Sequence, residues 1–137
     1  MILVDSSVWI AFFRGTPTRE AEWLDRNLGI EPLVVGDLIL AEVLQGFTDD
    51  RGFDEARRML GRLEQLTLGG AEIAVEAAEN DRRLRRLGVK VRGTVDVLIA
   101  TRCLVDGLWL LHGDRDFDAF EQHLGLRVVP ASLDDLR

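Results

Sequence analysis

Asp5, Glu42, Asp96 and Asp114 lie far apart in the chain, yet each either follows an apolar strand-like run or interrupts an apolar helix-like one. A carboxylate in such a place is costly unless something positive meets it. If the four converge, each pair of unit charges about 4 Å apart costs roughly 4 kcal/mol at an effective dielectric of about 20. Such a set demands protons or cations, and its least solvated carboxyl should hold a proton unusually well. A hard divalent cation takes oxygen ligands, offsets the repulsion and can activate water against a phosphodiester. The chemistry these residue types point to is metal-dependent hydrolysis of nucleic acid.

Each acid also has an ordinary role available. Asp5 could cap the helix after it, Asp96 could complement a helix dipole from the first turn, and Asp114 could be a turn residue. Glu42 is harder to explain that way. It sits among Leu38, Ile39, Leu40, Ala41, Val43, Leu44 and Phe47, with no arginine or lysine three or four residues away to pair with it.

The elements that must position these acids follow from periodicity. Ile2 to Val4 reads as a strand ending in Asp5, with Ser6 or Ser7 as an N-cap for a helix over Val8 to Phe13. Arg19 to Leu28 is an amphipathic helix stopped by Gly29, and Leu33 to Val35 a second strand. Asp37 is the expected cap of the buried helix that holds Glu42. A further helix is expected over about Asp54 to Leu66, a strand at Leu66 to Leu68, and the longest helix over about Ala71 to Leu87, ended by Gly88. Thr94 is the expected cap of a helix to about Asp106 that carries Asp96 in its first turn. Leu108 to Leu111 reads as a strand with Trp109 in the core, and Leu126 to Val129 as a last one. Short apolar strands alternating with helices specify an α/β fold, a parallel sheet covered by helices on both faces. Ligands of such sheets gather beyond the carboxyl ends of the strands, where Asp5 and Asp114 fall.

Length and composition bound the rest. The chain has 137 residues, 47% of them hydrophobic, which suits one domain over 1–137 with a single core. No run of apolar residues is long enough to span a membrane, and no basic residue precedes the apolar start, so a cytoplasmic protein without membrane association is expected. The single cysteine, Cys103, excludes an internal disulfide and reads as a small core residue. A formal net charge of −7 argues against indiscriminate coating of nucleic acid but leaves room for a local basic rim. The dense basic stretch is Arg82, Arg83, Arg85, Arg86, Lys90 and Arg92, immediately before Asp96. The first four follow an acidic half-helix, a polarity that complements the helix dipole without any ligand. Arg92, outside the helix, is the better candidate for RNA contact, with Arg14 and Arg115 near the acids by sequence.

Four motifs together resemble a known family: Asp5-Ser6-Ser7 after a strand, Glu42 in the third helix, Asp96-Val97-Leu98-Ile99-Ala100, and His112-Gly113-Asp114-Arg115-Asp116-Phe117. In order and spacing over the whole chain they are similar to the PIN-domain ribonucleases, and within them to the VapC toxins of type II toxin–antitoxin pairs. The resemblance implies a single PIN-like domain with a central parallel sheet of about five strands, and dependence on Mg²⁺ or Mn²⁺. It implies cleavage of RNA, single-stranded or in a tRNA or rRNA loop, a homodimer, and a cognate VapB-like antitoxin. Asp5, Glu42 and Asp96 match the three main metal-binding acids and Asp114 the fourth, with Asp116 in support; the first four are the implied catalytic set. Ser6 stands where threonine is usual and still supplies a hydroxyl, which makes it a candidate for RNA contact beside Arg14, Arg92 and Arg115. His112 also replaces a common threonine, which would alter hydrogen bonding behind the acids.

Other chemistries fare worse. A haloacid-dehalogenase-type phosphotransferase needs a second acid two residues after the first, where this chain has Ser7, and a receiver domain needs a lysine after a late strand. There is no Gly-x-Ser-x-Gly elbow and no nucleotide-binding glycine loop. Two alternatives to a toxin remain: an RNA-processing nuclease with no antitoxin, and a binding protein that keeps the fold without cutting.

Overall fold

The computed structural model describes residues 1–131; the last six residues of the expected 1–137 domain lie outside them. Four parallel strands form one sheet in the order β3-β2-β1-β4: β1 (Ile2–Val4), β2 (Leu33–Gly36), β3 (Glu64–Leu66) and β4 (Trp109–Leu111). The expected last strand appears as a single parallel bridge between Leu110 and Val128. β1 is central, and its three apolar residues are buried, as a strand covered on both faces requires. β3 is an edge strand whose Glu64 and Gln65 are exposed, charged and polar groups that discourage edge pairing.

Seven helices flank the sheet among the described residues: α1 (Ser6–Arg14), α2 (Arg19–Asn27), α3 (Asp37–Leu44), α4 (Asp50–Gly61), α5 (Ala71–Arg86), α6 (Thr94–Asp106) and α7 (Asp118–Leu124). A 3₁₀ turn over Arg115–Phe117 precedes α7. The buried apolar side chains form one cluster that includes Leu3, Val4, Trp9, Leu24, Ile39, Leu60, Leu84, Ile99, Leu111, Phe117 and Phe120. Cys103 is buried within it, as expected. No helix among the described residues is long and apolar enough to cross a membrane.

Several boundaries differ from the sequence expectation. The cap of α1 is Asp5, whose carboxylate accepts from the Ser7 amide, and not Ser6 or Ser7. Gly36 and Gly93, not Asp37 and Thr94, occupy the caps of α3 and α6. Asp37 instead acts as a tether. Its Oδ1 accepts from the amides of Leu38 and Leu68, both at 2.9 Å, and so ties the exit of β3 to the start of α3. Leu68 is fully buried as a result, and the strand expected at Leu66 to Leu68 pairs two residues earlier. The helix expected from Asp54 begins at Asp50, capped by Asp49. Trp109 is 38% exposed rather than core, with the Arg127 guanidinium 5.2 Å above its ring.

The expected helix over Ala71 to Leu87 is α5, with Gly88 beyond it at φ +81°, a left-handed position that favours glycine. One buried side-chain hydrogen bond joins α5 to α6, from Asn80 Nδ2 to Thr101 Oγ1 at 3.1 Å.

Candidate metal centre

The parallel arrangement puts the carboxyl ends of all four strands on one edge of the sheet, and the acids collect there. Val4 of β1 pairs with Leu111 of β4, and the Asp5 amide donates to the Leu111 carbonyl at 2.9 Å. The first residue after β1 therefore lies beside the turn after β4, which holds Asp114 and Asp116. Asp96 is delivered by the first turn of α6.

Asp96, Asp114 and Asp116 each offer one carboxylate oxygen, all within 4.8 Å of one another. All three are half-buried. The turn that holds two of them is ordered by its own hydrogen bonds. Asp114 Oδ1 accepts from the Asp116 amide at 2.9 Å, and the Asp114 amide donates to His112 Nδ1 at 3.1 Å. His112 packs on Phe117 with ring centroids 4.9 Å apart.

Asp5 is 3% exposed. Its Oδ2 accepts from the Ser7 amide at 3.1 Å and the Ser7 hydroxyl at 2.6 Å, while its Oδ1 is buried with no partner among the described residues. Ser7 Oγ also accepts from the Gly113 amide at 3.2 Å, joining the start of α1 to the turn after β4. Glu42 Oε1 accepts from Ser6 Oγ at 3.2 Å, so the glutamate without a cation on its own helix meets a hydroxyl of α1 instead.

Electrostatics binds the five acids together. Asp96 is pushed up to about 7, first by burial and then by the charges of Asp5, Asp114, Asp116 and Glu42. Burial raises Asp5 strongly enough to outweigh the hydrogen bonds from Ser7 and Ser6, and burial with the Asp5 charge raises Glu42 despite its bond from Ser6. Three clustered carboxylates, a fourth with an orphaned buried oxygen, and oxygen donors throughout fit a hard divalent cation.

The RNA-contact candidates divide. Ser6 is committed to Glu42. Arg92 extends a guanidinium nitrogen to 4.0 Å from Asp116 Oδ1 while its side chain stays 86% exposed, and Arg115 is exposed on the turn between Asp114 and Asp116. Arg14 ends α1, about 12 Å along the helix axis from Ser6. It lines a separate cavity with Ile10, Phe13, Val43 and Phe47. Two residues matter more here than their sequence positions suggest, Ser7 as more than a cap and Asp116 as a full member of the cluster. The Ser7 link to Gly113 spans 106 positions and leaves no local signal; Asp116, two residues after Asp114, is visible in the sequence but not set apart by it.

The clustered carboxylates thus sit on the carboxyl edge of an open parallel α/β sheet, the edge where ligands of such folds gather. Residues 2–122 match the PIN domain, and the chain belongs to the PIN-domain family. A VapC ribonuclease of Mycobacterium bovis is 33% identical over 131 residues, covering 94% of this chain and 98% of that protein. Ribonuclease VapC11 of Mycobacterium tuberculosis matches with the same identity and coverage. The fold is shared with VapBC2 from Rickettsia felis, solved bound to a DNA fragment from its promoter, at a TM-score of 0.72 and 18% identity over 93% of this chain and 97% of that one. It is shared too with Mycobacterium tuberculosis VapC20, a sarcin-ricin-loop-cleaving toxin, at a TM-score of 0.63 and 21% identity over 87% and 94% of the two chains.

Proposed function

We propose that this chain is a metal-dependent endoribonuclease, a single PIN-like domain over 1–137 that acts in the cytoplasm as the toxin of a VapBC-type toxin–antitoxin pair. The observation that carries the reading is the meeting of Asp96, Asp114 and Asp116 within 4.8 Å, with Asp96 also repelled by Asp5, whose Oδ1 is buried without a partner among the described residues. The ribonuclease relatives support the activity. The VapBC complexes that share the fold support an antitoxin partner, and a homodimer belongs to the same reading.

Asp96, Asp114 and Asp116 would hold Mg²⁺ or Mn²⁺, with Asp5 and Glu42 adding negative charge from the first and third helices. When bound, such an ion would supply charge neutralisation and a water of lowered pKa for attack on the phosphodiester. The chain's own residues prepare that site. Ser7 holds the Asp5 carboxylate from one side and leaves Oδ1 free, Ser6 orients Glu42, and His112 fixes the turn of Asp114. Burial and the neighbouring charges push Asp96 up to about 7, the repulsion that a bound cation would offset. Arg92 and Arg115, both exposed, would meet phosphates at the rim.

The test is to map new RNA ends in cells after induction of the wild type and of Asp96→Asn, and to assay the purified protein with and without EDTA. Wild type should produce discrete cuts that vanish in Asp96→Asn and in chelator. Undiminished cutting by the variant, or in EDTA, would end the assignment. Co-expression of a small protein encoded just upstream should suppress the cuts if the toxin reading holds.

A further inference from the structure

The basic stretch of α5 is not used by the centre just described. Arg82, Arg83 and Arg86 are exposed and line one cleft of about 200 Å³ together with Glu79. Arg85 is committed to Asp81 at 3.1 Å. Among the described residues no ion pair joins Arg82, Arg83, Arg86 or Lys90 to an acid, although Glu79 stands three and four positions before Arg82 and Arg83. The helix dipole favours cations in the last turn, but its effect fades beyond that turn, and Arg82, Lys90 and Arg92 lie outside it. In a chain of formal charge −7, unpaired cations gathered on one face are a local reversal of sign.

The chain leads from that face to the acidic centre. Five residues lie between Arg86 and Arg92, so their Cα atoms are at most roughly 20 Å apart. The Arg92 guanidinium reaches towards Asp116. Arg92 and Thr94 also line a groove with Ala74, Ala78 and Asp81, on a different face of α5 from the three arginines.

We propose that Arg82, Arg83 and Arg86, continued by Lys90 and Arg92, form a phosphate track that holds single-stranded RNA several nucleotides away from the bond cut at the acids. The inference rests on the ribonuclease reading and adds the surface that receives the substrate strand. A flexible polyanion is the occupant that charge complementarity selects, because exposed guanidinium groups in a row bind phosphates without reading sequence. RNA too short to reach the ridge forgoes these contacts.

The experiment measures binding of a fluorescent 20-nucleotide single-stranded RNA to Asp96→Asn protein against salt, with and without the added changes Arg82→Gln, Arg83→Gln and Arg86→Gln. Cleavage of the 20-mer and of a tetranucleotide is followed in the corresponding proteins with Asp96 intact. Loss of three phosphate contacts should lower the slope of log affinity against log salt by about 2 and weaken binding on the order of tenfold at low salt. The KM for the 20-mer should rise while turnover of the tetranucleotide stays within about twofold. An unchanged slope overturns the proposal, as does equal loss from Arg57→Gln with Arg58→Gln on α4, which would reflect overall charge. So does equal loss on the tetranucleotide, or weakened binding of a protein partner with RNA affinity intact. Wild type that binds through the ridge but never cuts RNA would instead defeat the nuclease reading and leave the track standing.

Discussion

The Ser7 hydroxyl donates to the buried Asp5 carboxylate across 2.6 Å. Because the same oxygen accepts from the Gly113 amide, one small side chain sets both the first acid and the turn that bears Asp114. Ser7→Ala leaves Asp5 Oδ2 with only its backbone donor and frees the Gly113 amide. The expected loss is about 1–3 kcal/mol of stability, with Mn²⁺ affinity reduced at least tenfold, read by urea denaturation and calorimetric titration. Ser7→Thr, which keeps the hydroxyl, should recover most of the affinity; equal loss in both variants would refute the hydrogen-bond role.

The raised carboxyls dictate a pH dependence. Asp96 titrates near 3.8 unfolded and about 7 folded, so the folded state binds the extra proton between those values. Its contribution to stability is full below about pH 4 and is lost as pH rises to about 7; Asp5 and Glu42, raised as well, act in the same direction. In chelator, wild type should lose stability relative to Asp96→Asn between pH 4 and 7. Mn²⁺ should reverse the trend and stabilise wild type more at pH 8 than at pH 5, because protons compete with the ion. A wild-type Tm that climbs relative to the variant over pH 4 to 7 without metal would contradict the buried, repelled carboxyl.

His112 does with a ring nitrogen what short polar side chains do in turns, accepting from the amide two residues ahead. His112→Ala should therefore loosen Asp114 and weaken Mn²⁺ binding several-fold. His112→Asn, whose side-chain oxygen can accept the same amide, should restore it. Equal affinity in wild type and alanine variant would mean that His112 does not hold the turn.

Gly36 closes β2 where a methyl group would fall inside the fully buried Leu68 side chain. Gly36→Ala forces Leu68 away from the Asp37 tether and should cost about 1–3 kcal/mol by overpacking. Chemical denaturation measures it directly, and a neutral result would mean the contact yields.

What could be read from the chain was local in origin. Ile2 to Val4 followed by Asp5, and Leu108 to Leu111 followed by the Asp114 turn, displayed strand and acid side by side, and parallel topology then brought them to one edge. Glu42 was conspicuous through the missing cation on its helix, but its partner Ser6, 36 positions away, could not be deduced from spacing. Nor could the tether made by Asp37, which outweighed the apolar pattern of Leu66 to Leu68 and moved the strand upstream. Trp109 looked like core because its neighbours are, yet it opens β4 at the end of the strand away from the acids. The short helix α7, with Phe120 its one buried residue, offered too little periodicity to be noticed.

β1 is made first and finished last. Its neighbours begin at Leu33 on one side and Trp109 on the other. While the ribosome is still producing the first hundred or so residues, the amino-terminal strand has an open flank, and the turn of Asp114 and Asp116 does not yet exist. The acidic centre is thus complete only once almost the whole described length of the chain has emerged.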